Sequence, residues 1–84
     1  YKLCLLLCHA RASFDEMKGN VEALARFMGK EAHFSPAVLS GFIDGRSAQV
    51  KLGNFSGFLG EMHPSVLHTL GAELPLVVFE CYLA

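Results

Sequence analysis

The sequence predicts an α+β fold with a mainly antiparallel sheet flanked by helices. Apolar runs of strand length lie near both ends of the chain, and one stretch between them repeats its apolar residues with helical spacing. A Gly53-Asn54 pair separates two further strand-like segments and is typical of a two-residue β-hairpin. Hairpins join antiparallel strands, whereas parallel strands need long crossovers. Since the 84 residues contain no internal repeat or linker, we assign residues 1–84 to one small domain.

The first predicted element is a strand from Tyr1 to Ala10. Leucines at alternate positions face one side of such a strand, and Cys4, Leu6 and Cys8 face the other. Both faces are therefore apolar, which is typical of a central strand buried on both sides. The run is far shorter than the ~20 residues of a membrane-spanning helix. No signal-peptide cleavage pattern follows it, so we expect neither a membrane segment nor a leader.

The next element is an amphipathic helix that begins after Ser13. Ser13 and Glu16 form a capping box, and Gly29 supplies the left-handed residue that commonly terminates a helix. The apolar residues with helical spacing are Phe14, Met17, Val21, Leu24 and Met28. Gly19 costs about 1 kcal/mol relative to alanine inside a helix. We therefore expect either close packing at Gly19 or an unwound first turn.

The middle of the chain predicts an edge strand or a loop, followed by the hairpin. Residues 31–42 form an edge strand or a loop, because Pro36 has no amide hydrogen to donate inside a sheet. Apolar and polar residues alternate from Ser47 to Leu52, which predicts a half-buried strand. The Gly53-Asn54 turn leads into its partner strand from Phe55 to Met62.

A short helix and an apolar strand complete the chain. Pro64 suits the first turn of a helix, where the missing amide hydrogen has no partner to lose. This helix runs to Leu70 and is ended by Gly71, and Pro75 opens the last strand. The candidates for core or interface positions are Leu5, Leu7, Phe27, Phe58, Val66, Leu70, Val77 and Phe79.

Composition limits the function classes. Hydrophobic residues make up 52% and charged residues 18% of the chain, against roughly 25% charged residues in soluble domains. We expect one apolar face to be covered by a protein partner, by a second copy of the chain or by polypeptide outside it; a sticky monomer is the alternative. The net charge is −1 and the seven basic residues are scattered. This disfavours autonomous nucleic-acid binding and attraction to a membrane surface.

The cysteines point to a reducing, cytoplasmic location and not to a metal site. Three cysteines are too few for a disulfide framework. Their spacing relative to the histidines does not supply the two close ligand pairs of a structural zinc site, so we expect no bound metal. The chain begins at Tyr1 without an initiator methionine, which suits a fragment.

Two motifs are candidate sites. The residues Gly57, Gly60, Glu61, His63 and Pro64 allow an acid–base pair, but no nucleophile accompanies them. We favour a structural role, with glycines permitting close backbone approach. Gly45 and Arg46 offer either an anion site or an internal ion pair. We favour the ion pair, with Glu80 or Glu61 as the partner of Arg46. Catalytic residues are therefore not assigned.

The combination of motifs resembles a known family. They are Asp15, Lys18, Gly19, Val21, Glu22 and Leu24; Gly45, Arg46, Ser47 and Ala48; Gly57, Gly60, Glu61, His63, Pro64 and Val66; and Pro75, Phe79 and Glu80. Together they look like the C-terminal part of the catalytic-like core of the phenylalanyl-tRNA synthetase beta subunit. The resemblance spans nearly the whole chain. The spacing around Asp44, Gly45 and Arg46 is more similar to the archaeal and eukaryotic branch.

This resemblance implies a partial class II synthetase-like sheet in a module without catalytic motifs. In the family such a module packs against a catalytic alpha subunit, which binds ATP and magnesium and charges tRNA with phenylalanine. The chain alone would then have no activity and no cofactor. It is far shorter than a whole beta subunit, so a second hypothesis stays open. In that hypothesis the chain is a free-standing truncated paralogue, an interaction protein on the ribosome or another RNA–protein assembly.

Overall fold

The structure, a computed structural model, describes the backbone of residues 2–83 and the side chains of residues 2–82. The described elements are β1 (Lys2–Cys8), α1 (Phe14–Phe27), β2 (Ala32–Pro36), β3 (Phe42–Leu52), β4 (Phe55–Met62), α2 (Pro64–Leu70) and β5 (Leu76–Leu83). The five strands form one sheet in the order β1-β5-β4-β3-β2. All four neighbouring strand pairs are antiparallel. The fold is therefore α+β with an antiparallel sheet.

The expectation that the first strand is central is wrong. Within the described sheet β1 lies at one edge and pairs only with β5. Leu3 and Leu7 pack against the core, but Leu5 is 37% exposed and Leu6 is 66% exposed. Apolar residues on both faces of a strand indicate that both faces tend to be buried, but they do not specify whether the strand has one neighbouring strand or two.

Helix α1 begins as its sequence predicts. The Ser13 hydroxyl accepts a hydrogen bond from the Glu16 amide at 3.1 Å. Met28 is the C-cap, and Gly29 follows with φ +70°. The expectation for Gly19 is wrong, because Gly19 lies exposed within the regular helix and a Cβ placed there meets no atom within 4 Å.

The hydrophobic core lies between α1 and one face of the sheet. Its buried members are Ala12, Met17, Val21, Ala25, Val50, Leu52, Leu59, Val77, Phe79 and Cys81. Helix α2 contributes no buried residue, so the sheet is covered by one helix and not flanked by two. Of the predicted candidates, Val77 and Phe79 are buried members of the core, and Leu7 packs against it. By contrast, Phe27 is 90% exposed and Leu70 is 65% exposed.

Local signals determine the remaining boundaries. Strand β2 is an edge strand that contains Pro36, as predicted. Gly53 has φ +61° and no non-glycine residue among those described has positive φ, which is the backbone pattern of a type II′ hairpin turn. Gly71 ends α2 with φ +73°.

Strand β3 begins five residues before the predicted Ser47, and its register with β4 shifts between Phe42 and Ser47.

Candidate functional site

An ion pair between Arg46 and Glu61 is the centre of the candidate site. Glu61 lies on β4 with its side chain only 9% exposed, and Arg46 Nη1 donates a hydrogen bond to Glu61 Oε2 at 2.7 Å. The Arg46 side chain is itself 60% exposed. A buried carboxylate is costly unless it is paired. In the structure Arg46 forms an internal ion pair, and its partner is Glu61.

The structure does not place Glu80, the partner named first for Arg46, beside that side chain. In β5 side chains alternate between faces, and the neighbours of Glu80, Phe79 and Cys81, are buried in the core beneath α1. Glu80 consequently lies on the opposite face, where its carboxylate contacts Lys2 Nζ at 2.9 Å. Sequence spacing could not distinguish the two glutamates, because the choice depends on the face that each presents.

The segment around Arg46 is held by a turn at Gly45 and by two hydrogen bonds between Ser47 and Ala37. Gly45 has φ +80° at the register shift of β3, a conformation that favours glycine. The Ser47 hydroxyl donates to the carbonyl oxygen of Ala37 at 2.6 Å, and the Ala37 amide donates to the carbonyl oxygen of Ser47 at 3.4 Å. The Gly-Arg-Ser sequence thus fixes the direction from which Arg46 approaches Glu61.

The two glycines of β4 allow close approach. A Cβ at Gly57 would clash with the backbone carbonyl oxygen of Glu80 on β5, and a Cβ at Gly60 would lie 2.5 Å from the Phe42 ring. Phe42 in turn packs against Phe58 with 5.7 Å between ring centroids. Both glycines therefore have steric roles.

His63 and Pro64 start α2. The His63 Nδ1 accepts a hydrogen bond from the Ser65 amide at 3.1 Å, and the His63 amide donates to the carbonyl oxygen of Gly41 at 2.9 Å. Pro64 occupies the first turn of the helix. The His63 side chain thus caps α2, whereas the Glu61 carboxylate pairs with Arg46. No hydrogen bond links His63 to Glu61 among the described side chains.

Two adjacent cavities lie where α1 begins. One, of about 400 Å³, is mainly apolar and is lined by residues that include Phe14, Phe34 and Val38. The other, of about 450 Å³, is polar and is lined by Arg11, Ala12, Ser13, Phe14, Asp15, Gly45, Arg46 and Glu61. Ser13 is the hydroxyl in the polar cavity, and its oxygen already caps α1. Among the described side chains no base is hydrogen-bonded to the Ser13 hydroxyl, as a catalytic nucleophile would require.

A second charged cluster lies on the open face of the sheet. The Tyr82 hydroxyl donates to Glu80, which also contacts Lys2. These two interactions lower the pKa of Glu80, the hydrogen bond from Tyr82 contributing more. The same contacts raise the pKa values of Lys2 and Tyr82. Sequence analysis missed this cluster, because Lys2 meets β5 only through the β1–β5 pairing.

The buried thiol is chemically distinct from the two exposed ones. Cys81 is buried in the core, whereas Cys4 and Cys8 are exposed. Burial raises the pKa of Cys81, with a smaller opposing effect from a backbone hydrogen bond with Leu3. Across the described residues no cluster of three or more His, Cys, Asp or Glu could hold a metal ion. Neither described helix is long and apolar enough to cross a membrane.

Fold and site together define the class of this protein: a small α+β module in which Arg46 pairs with Glu61 and His63 caps a helix. A family model described as the phenylalanyl tRNA synthetase beta chain CLM domain matches residues 1–83. The chain therefore belongs to the family of phenylalanyl-tRNA synthetase beta chain CLM domains. The resemblance to the beta subunit is confirmed.

Three individual relatives are phenylalanine–tRNA ligase beta subunits. The chain is 38% identical over 84 residues to the phenylalanine–tRNA ligase beta subunit of Thermococcus kodakarensis, covering 99% of this chain and 15% of that protein. It is 38% identical over 81 residues to that of Methanocella arvoryzae, covering 93% of this chain and 15% of that protein. It is 39% identical over 75 residues to that of Haloarcula marismortui, covering 88% of this chain and 13% of that protein. The chain thus spans a small part of these relatives.

Proposed function

We propose that residues 1–84 act as a non-catalytic interface module of a phenylalanyl-tRNA synthetase, as the C-terminal part of the catalytic-like core of the beta subunit. The family match over residues 1–83 carries this proposal. The module supports the ATP-dependent charging of tRNA with phenylalanine, which the alpha subunit catalyses in the cytoplasm. In this arrangement ATP and magnesium bind to the alpha subunit.

The ion pair and the helix caps formed by the polar side chains support a structural role. The buried carboxylate of Glu61 is bound by Arg46, and His63 caps α2. Ser13 caps α1 in the same way. A general base needs a free lone pair within reach of a substrate proton, and a nucleophile needs such a base beside it. These side chains instead maintain the positions of β3, β4 and the two helices.

The exposed apolar surface supports an interface role. On the open face of the sheet Leu6 is 66% exposed and Tyr82 is 47% exposed, and their strands β1 and β5 are adjacent. Exposed apolar area of this kind favours association. We propose the alpha subunit as the partner, within a class II synthetase-like assembly whose antiparallel sheet includes the five strands described above.

Co-purification tests this proposal. The tagged chain is expressed in its native source, the mass of its assembly is measured, and the bound proteins are identified by mass spectrometry. We expect a synthetase alpha subunit in the assembly and phenylalanine-dependent ATP–pyrophosphate exchange only in that assembly. Recovery with ribosomes or as a homo-oligomer, without the alpha subunit, contradicts the proposal and favours the free-standing paralogue.

A further inference from the structure

The two cavities at the start of α1 adjoin each other and differ in chemistry. Both have Phe14 and Gly45 in their linings. The cavity of about 400 Å³, called the apolar cavity below, is lined by residues that include Phe14 and Phe34. The cavity of about 450 Å³, called the polar cavity, is lined by residues that include Arg11 and Arg46. A molecule that extends from one cavity into the other therefore needs an apolar body and a polar head group.

The charged residues of the polar cavity favour an anionic head group. Its carboxylates are Glu61, which is 9% exposed and bound by Arg46, and Asp15, in the first turn of α1. Arg11 is exposed, and its side chain makes no ion pair within the part of the chain that the structure describes. Arg46 contacts Glu61 through Nη1, and a guanidinium has five N–H donors. An anion can therefore be bound by two guanidinium groups, whereas a cation would be bound by Asp15 alone.

The charge balance of the two cavities indicates a single negative charge on the ligand. Lys18 lines the apolar cavity, and its Nζ lies 5.1 Å from the centre of the Phe34 ring. The charged residues of both linings are three cations and two carboxylates, namely Arg11, Lys18 and Arg46 against Asp15 and Glu61. The first turn of α1 adds the positive end of the helix dipole. A monoanion neutralises the excess positive charge, whereas a dianion would reverse it.

We propose that the two cavities form one binding site for a small amphipathic monocarboxylate. Its carboxylate lies at Arg11 and Arg46, and its apolar chain lies against Phe14 and Phe34. A carboxylate matches the planar fork of a guanidinium and accepts two parallel hydrogen bonds from it. The apolar cavity removes the chain of the ligand from water, which adds affinity in proportion to the apolar area that is buried. A hydrophilic anion such as inorganic phosphate would use the polar cavity alone and would bind more weakly.

Titration of the 84-residue chain with octanoate, followed by amide NMR, tests the proposal. Octanol and octylamine have the same hydrocarbon chain with a neutral and a positive head group, so they are matched probes. We expect octanoate to bind at least about fivefold more tightly than either probe. Added salt should reduce this advantage, because salt screens exposed charges. Equal or tighter binding of octanol or octylamine overturns the proposal, and so does the absence of chemical-shift changes at millimolar octanoate.

Intermolecular nuclear Overhauser effects (NOEs) locate the bound octanoate. We expect NOEs from its terminal methyl group to the ring of Phe34. The methylene group beside the carboxylate should give NOEs to side-chain protons of Arg11 or Arg46. Octanoate could instead adsorb to the exposed apolar side chains of the sheet, Leu6 and Tyr82. NOEs to those two residues without any to the cavity residues would overturn the proposal.

Two arginine variants separate binding at this site from a general effect of charge. Arg11→Ala and Arg26→Ala each remove one positive charge from an exposed position, the first before α1 and the second in its last turn. Arg11→Ala should weaken octanoate binding about threefold to fivefold and leave octanol binding unchanged, whereas Arg26→Ala should change neither. Circular dichroism verifies that both variants are folded. Equal effects of the two variants overturn the proposal. The result is independent of alpha-subunit binding, because the proposed interface is the open face of the sheet.

Discussion

Replacing Arg46 by alanine tests the role of the ion pair. The change removes the 2.7 Å hydrogen bond to Glu61, whose side chain is 9% exposed. Leaving one partner of a buried pair uncompensated costs about 3–5 kcal/mol. Arg46 is 60% exposed, so water partly replaces the guanidinium. We therefore expect a loss of about 2 kcal/mol in the free energy of unfolding, between the costs of a buried pair and an exposed pair.

Urea denaturation followed by circular dichroism measures this loss. A decrease of about 2 kcal/mol corresponds to a fall of roughly 10 °C in melting temperature for a domain of this size. Arg11→Ala is the control. Arg11 is exposed and lines the same polar cavity as Arg46 and Glu61, but its side chain makes no ion pair within the described residues. It should change stability by less than about 0.5 kcal/mol.

A double-mutant cycle then isolates the pair itself. Arg46→Met, Glu61→Gln and the double variant give the coupling free energy, which we expect to be about 1–2 kcal/mol. If Arg46→Ala costs no more than Arg11→Ala, or if the coupling is near zero, the buried carboxylate of Glu61 does not depend on Arg46. The structural interpretation of the Gly45-Arg46 motif would then be refuted.

Three further outcomes follow from single residues. Gly19→Ala should raise the free energy of unfolding by about 1 kcal/mol in urea titrations, because a Cβ there meets nothing within 4 Å; Gly60→Ala, whose Cβ meets an aromatic ring at 2.5 Å, should lower it, and a gain at both positions would contradict the packing. The pKa of Glu80 is lowered below its ordinary 4.5 in the folded state, so its contribution to stability is present above 4.5 and is lost as the pH falls through the folded pKa. Glu80→Gln should therefore reduce the loss of stability on acidification; an unchanged acid-side profile would argue against the contact with Tyr82. With a thiol reagent, Cys81 should react at least about tenfold more slowly than the two exposed cysteines at neutral pH, because burial limits access and raises its pKa; three equal rates would contradict its burial.

The elements that depend on local interactions are readable from the sequence. The start of α1 follows from the hydroxyl of Ser13 and the amide three residues later. The ends of the hairpin strands and of α2 follow from Gly53 and Gly71, which have positive φ. Each of these signals acts within a few residues, so neighbouring residue types determine the backbone without reference to the rest of the chain.

Residues that meet through the sheet required the tertiary structure. The placement of β1 at an edge, the choice of Glu61 over Glu80, and the contact of Lys2 with β5 all depend on strand order and on facing. A period of two tells which residues share a face, but not which face a helix covers or which strands become neighbours. The sequence by itself therefore determined the helices with their caps and the turn of the hairpin. Only the tertiary structure decided which of its charges pair and which apolar strand remains open.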